Sequence, residues 1–163
     1  MRKIIYVFLI ILLVIVYKNC MNFEVTTLDL VDGYETRWGV KISEPDRFEN
    51  IWSAKYPSHG DGEWITRLIY KETIPQNNMN QFSIVTEENI EQVNIYFATF
   101  ISNTKNAYSS TDKAAVIKVF NQNPIKVEVG DFYYHKSENE GYDTFTALYN
   151  RSENNIYTFV WHQ

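Results

Sequence analysis

The chain has 163 residues, with 15 basic against 20 acidic side chains and a single cysteine. One cysteine excludes a disulfide framework, and the acidic balance argues against a nucleic-acid partner. Aromatic content of 16% beside 21% charged residues excludes a disordered chain.

The chain opens on Met1-Arg2-Lys3, continues with fourteen apolar residues at 4–17, and then reads Lys18-Asn19-Cys20. A basic end before an apolar run of 7–15 residues is the pattern of an export signal. A helix of fourteen residues would reach about 21 Å, short of a ~30 Å hydrocarbon core, although Arg2, Lys3 and Lys18 can snorkel to lengthen the span. Cleavage chemistry points the other way, because Tyr17-Lys18-Asn19 offers no Ala-x-Ala-like site. Three readings stay open: an uncleaved signal-anchor, placed first; a degenerate lipoprotein lipidated at Cys20; and a cleaved secreted protein. Arg2, Lys3 and the amino terminus keep that end cytoplasmic and send the rest outward. Taking Arg2, Lys3 and Lys18 from the basic count leaves 12 against 20 acidic residues, a formal charge of −8 on the exported part. Such a body favours a polybasic ligand or a cation over a phosphate. From Met21 onward 143 residues remain, enough for one domain.

The stretch Thr26 to Val40 reads as β-structure, with Asp32-Gly33 as a hairpin turn. Residues 43–58 read as irregular, with a helical turn over Pro45 to Ser53 capped by Ser43. A turn-rich hexapeptide, Ser58 to Glu63, feeds a strand from Trp64 to Lys71. Thr86-Glu87-Glu88 opens the clearest helix, 87–102. Its apolar stripe is Ile90, Val93, Phe97, Phe100 and Ile101, and Asn103 is read as its end. The run 111–121 reads as a short helix stopped by Asn121, Asn123 and Pro124, with a strand over Ala115 to Phe120 as the alternative. Three strands close the chain: Phe132 to Lys136, Tyr142 to Tyr149 and Ile156 to His162. Their hairpin-length connections make an antiparallel meander.

Three features are candidates for chemistry. In His59-Gly60-Asp61-Gly62-Glu63, alternation along an extended chain would line His59, Asp61 and Glu63 on one face, a donor set suited to zinc or manganese. The competing reading is a tight turn, with Gly60 and Gly62 supplying positive φ. The stretch matches neither an EF-hand loop nor HExxH. The second feature is the histidine set, since His135 and His162 lie on strands of one meander and meet only if the register allows. The third is aromatic density: both meander faces are semi-apolar and one helix cannot cover both. Tyr157, Phe159 and Trp161 are therefore the candidate binding face, set against ordinary sheet composition. No Ser-His-Asp pattern is present and Cys20 beside the membrane is a poor nucleophile, so the reading leans away from an enzyme. No cofactor is implied. Asn150-Arg151-Ser152 matches a glycosylation sequon in a turn, set aside given the bacterial look of the export signal.

On Arg2-Lys3, the apolar run to Tyr17 and Cys20, the chain resembles small signal-anchored or lipoprotein-like proteins of bacteria; the resemblance covers about twenty residues and transfers no activity. The expectation is a membrane anchor over residues 1–20 and one extracytoplasmic α+β domain over 21–163. In that domain a mixed or antiparallel sheet, including the meander, packs on one main helix. The expected partners are the membrane, through residues 4–17, and a protein or envelope component. The expected role is a non-enzymatic binding module. The alternatives are a small metal-dependent hydrolase using His59, Asp61 and Glu63, and an immunity-type inhibitor of a basic toxin.

Overall fold

The computed structural model describes residues 25–54 and 61–163. The apolar run 4–17, Cys20 and His59 lie outside them. Among the described residues no helix is long and apolar enough to cross a membrane.

The described chain is an α+β fold around one six-stranded antiparallel sheet, in the order β1-β2-β6-β5-β4-β3. Helix α1 (Thr27–Trp38) comes first, followed by β1 (Arg47–Ser53), β2 (Gly62–Ile69) and the two-residue β3 (Ser83–Ile84). Helices α2 (Ile90–Ala107) and α3 (Ser110–Gln122) follow. The meander β4 (Phe132–Glu138), β5 (Asp143–Asn150) and β6 (Asn155–His162) ends the chain.

Residues 27–38 are a helix and not the expected hairpin, for local reasons. The Thr26 hydroxyl accepts the Asp29 N–H at 3.1 Å, and the Asp29 carboxylate accepts the Thr26 N–H at 3.0 Å, closing a capping box. Val31, Tyr34 and Trp38 recur at helical spacing and are buried, and Gly39 terminates the helix with a left-handed φ of 71°. Gly33 costs this helix about 1 kcal/mol relative to alanine, and the caps and the buried stripe outweigh it. Residues 47–53 likewise form a strand, not a helical turn, because Phe48, Ile51 and Trp52 pack inward along the register set by β2.

Helix α2 keeps the expected stripe. Val93, Phe97 and Phe100 are buried, and the helix runs past Asn103 to bury Thr104. Thr86 is not its cap: Asn89 is, and the Asn89 side chain accepts the Thr86 N–H at 2.8 Å. The run 111–121 lies within α3, which buries Val116 and Phe120.

The two sheet faces are covered unequally. On one, α1 lays Tyr34 and Trp38 against Phe145, with ring centroids 5.1 and 5.6 Å apart. On the other, α2 and α3 cover Leu148, Tyr157, Phe159 and Trp161, and Phe97 and Phe100 meet Phe159 edge-on at 5.0 and 5.2 Å. Burying rings such as Phe145 and Phe159 contributes roughly 1.5–3 kcal/mol each. The single main helix of the sequence reading is thus three helices on two faces. Tyr157, Phe159 and Trp161, read as an open binding face, are 8%, 0% and 8% exposed. The second helix on that face makes them core.

Candidate functional site

Where β2 begins and β6 ends, the register pairs Gly62 with His162 and Glu63 with Trp161. Strand alternation sends Glu63 and Trp161 to the α2–α3 face and His162 to the α1 face. Gly62 sits at φ 153°, and a Cβ there would stand 2.7 Å from that of Ala54. Only glycine lets the chain pass this close.

A bulge between Asn50 and Trp52 sets Trp52 opposite Ile65. The extra residue re-aims the indole onto the α2–α3 face, where its Nε1–H donates to Glu63 Oε1 at 2.9 Å. Tyr108, at the α2–α3 junction, donates its hydroxyl to the same oxygen. The two rings meet edge-on, 5.5 Å apart. Glu63 is 4% exposed, and among the described residues its two donors both reach Oε1. Among the described residues, no hydrogen bond reaches Oε2. A carboxylate held in this way keeps one oxygen's lone pairs for a ligand.

Glu63 borders a cleft of about 370 Å³ that is also lined by Asp61, Tyr108, Asp112, Trp161 and His162. A second hollow of about 420 Å³ shares Ala107, Trp161 and Gln163 with it and adds Asn103, Asn106 and Tyr142. Among the described residues lining either hollow, none is Lys or Arg. In the first cleft the Asp61, Glu63 and Asp112 carboxylates beside indole and phenol rings make a cation-favouring environment, through charge and ring quadrupole together.

Of the expected metal set, Asp61 and Glu63 reach one cleft, and His59 lies outside the described residues. Among the described residues no group of three or more His, Cys, Asp or Glu is placed to hold a metal. The two meander histidines are on opposite faces and do not meet. His135 bonds Thr146 through Nδ1 at 2.8 Å and stacks on Tyr96 at 3.7 Å, and burial holds its pKa below the ordinary value. The sequon residue Asn150 is 4% exposed, and its side-chain oxygen accepts from Ser152 Oγ and the Glu153 N–H, so it serves the turn.

His162 belongs to a second buried carboxylate. Asp143, 0% exposed, accepts from His162 Nδ1 and Asn139 Nδ2, from the Gln163 N–H at 3.2 Å and from Arg37 Nη2 at 3.3 Å. Burial pushes its carboxyl pKa up; the bonds from His162, Asn139 and the Gln163 amide outweigh that and hold it below the ordinary range. Asp143 thereby ties the end of β6 to the β4–β5 turn and to the last turn of α1.

On the α1 face lies a larger, apolar groove of about 710 Å³ between α1 and the β1–β2–β6 part of the sheet. Val25, Leu30, Trp38, Phe48, Trp64 and Val160 line it, and Gly33 opens onto it from the helix.

The sequence reading missed Trp52, Tyr108, Asp112 and Asp143. Trp52 reaches Glu63 only through the bulge, and Tyr108 only through the close succession of two helices. Neither leaves a spacing signal. No family model matches the chain, and comparison with curated proteins and with solved structures found no match.

Proposed function

We propose that this chain is a membrane-tethered, extracytoplasmic binding module of the cell envelope, without catalytic activity, that recognises a basic group on a protein partner. The observation that carries the reading is Glu63: a carboxylate buried to 4% exposure, fixed through one oxygen by Trp52 and Tyr108, in a cleft lined by acids and aromatic rings. A lysine or arginine end entering there would exchange water for a charge-assisted bond to Oε2 and for ring faces. The formal charge of −8 beyond the leader supports the reading, since it would speed encounter with a basic partner. The apolar run 4–17 flanked by Arg2, Lys3 and Lys18 supports the tether and its orientation. The acidic cleft also favours one particular form of this role, an immunity-type inhibitor of a basic toxin.

The test is calorimetric titration of the full chain, in detergent, with an oligolysine peptide. Glu63→Gln keeps a carbonyl acceptor for Trp52 and Tyr108 and removes the charge. It should weaken binding about tenfold, the worth of one charge-assisted hydrogen bond. Glu128→Gln, on the loop before β4 and outside the cleft, should change affinity less than about twofold. Equal effects of the two would reduce the binding to general surface charge and overturn the reading.

A further inference from the structure

We propose that the apolar groove beside α1 holds an acyl chain of a bilayer phospholipid. The groove exists because this face carries one helix where the other carries two. Tyr34 and Trp38 are committed to Phe145 on β5, which leaves Phe48 of β1 and Trp64 of β2 only partly covered. Its volume of about 710 Å³ lies within the range of ligand clefts. Its chemistry selects a chain and not a headgroup. Among the described residues lining it, Asp29 and Tyr34 are ionisable; the Asp29 carboxylate is engaged by the Thr26 backbone and hydroxyl, and the Tyr34 hydroxyl bonds Thr158 Oγ1 at 2.9 Å. Among the described residues lining the groove, none is a Lys, Arg or His that could hold a phosphate or a fatty-acid carboxylate.

The position of the groove names the source of the lipid. Val25, half-exposed, lines it, and Leu28 beside it is 51% exposed. The apolar run read as the membrane segment ends at Tyr17, eight residues before Val25. Eight residues reach at most about 29 Å, so the mouth of the groove lies within roughly one bilayer-core thickness of the membrane surface. The inference rests on the tether proposed above and is independent of the Glu63 cleft.

The test uses the full chain reconstituted in phosphatidylcholine vesicles with either plain or dibrominated acyl chains. Of the four tryptophans, Trp38 and Trp64 line the groove, and bromine quenches indole at close approach. Wild type should float with the vesicles and lose up to half of its indole emission in brominated lipid. Gly33 offers a plug, because a Cβ built there meets nothing within 4 Å. Gly33→Phe should float equally and recover most of the lost emission, and Gly33→Leu provides the same test should the phenylalanine variant misfold by circular dichroism. Flotation without quenching in wild type overturns the proposal. Equal quenching in wild type and the plugged variants also overturns it, because the bromine would then be sensed by proximity alone. Unquenched wild type that sediments as a dimer, with Gly33→Phe monomeric, would give the groove to a second copy. Failure to float rejects the tether itself, and with it the lipid source.

Discussion

Glu63 and Asp143 are both nine-tenths buried carboxylates, set at the same end of one sheet but on opposite faces, and they are satisfied very differently. Asp143 draws donors from four residues in three parts of the chain, one of them the Arg37 guanidinium. Among the described residues, Glu63 has two neutral donors, an indole and a phenol, and both go to one oxygen. A buried carboxylate saturated from all sides has no bonding capacity left for a ligand, and its work is to hold elements together. One satisfied on a single oxygen retains bonding capacity toward the space beside it. Burial alone does not separate the two; the direction of the donors does.

The comparison is most sharply tested by removing the saturated partner. Asp143→Ala should cost about 2–4 kcal/mol in urea unfolding, because it leaves the His162 ring, the Asn139 amide and the Gln163 N–H without their shared acceptor. A loss below about 0.5 kcal/mol would mean that these contacts do no structural work and would break the contrast.

Part of that stability should titrate. The folded-state pKa of Asp143 is depressed, so its contribution is fully present above the unfolded value of about 3.9 and is lost as pH falls through the lower folded value. Wild type should therefore show an acid limb, with stability falling below about pH 4. In Asp143→Asn that limb should be shallower, although other carboxylates also titrate there. Superimposable acid limbs for wild type and variant would show that Asp143 is not the linked group.

Much of the fold was legible where pattern length exceeded the reach of any one residue. The stripe through Val93, Phe97 and Phe100 specified α2, and the alternation from Phe132 to His162 specified the meander. The misreadings came where a single residue pair carried the inference. Asp32-Gly33 is a hairpin signal on its own, yet it sits between a capping box at Thr26 and a left-handed Gly39, which together make the segment a helix. Reading that helix as strands, and weighing only one helix against the meander, left a sheet face apparently bare, and Tyr157, Phe159 and Trp161 were assigned to solvent as a consequence. The candidate site was half legible. Asp61 and Glu63 were visible as polar groups two apart beside glycines, which alternation turns toward one cleft. Trp52 and Tyr108 were not, because a bulge and a helix–helix junction act through tertiary packing and leave no period in the sequence.

The smallest expected effect bears on the less saturated carboxylate. Trp52→Phe removes the indole N–H that reaches Glu63 while keeping a ring to pack edge-on against Tyr108. Glu63 retains the Tyr108 hydroxyl on Oε1, and among the described residues Oε2 stays without a hydrogen bond, as before. The loss should be about 1 kcal/mol, the net worth of one hydrogen bond, with oligolysine affinity held within about threefold, since the charge is untouched. A loss near 3 kcal/mol would mean that the indole is as indispensable to Glu63 as the combined donors are to Asp143. Glu63 would then be a second structural clamp, and its open oxygen an accident of packing.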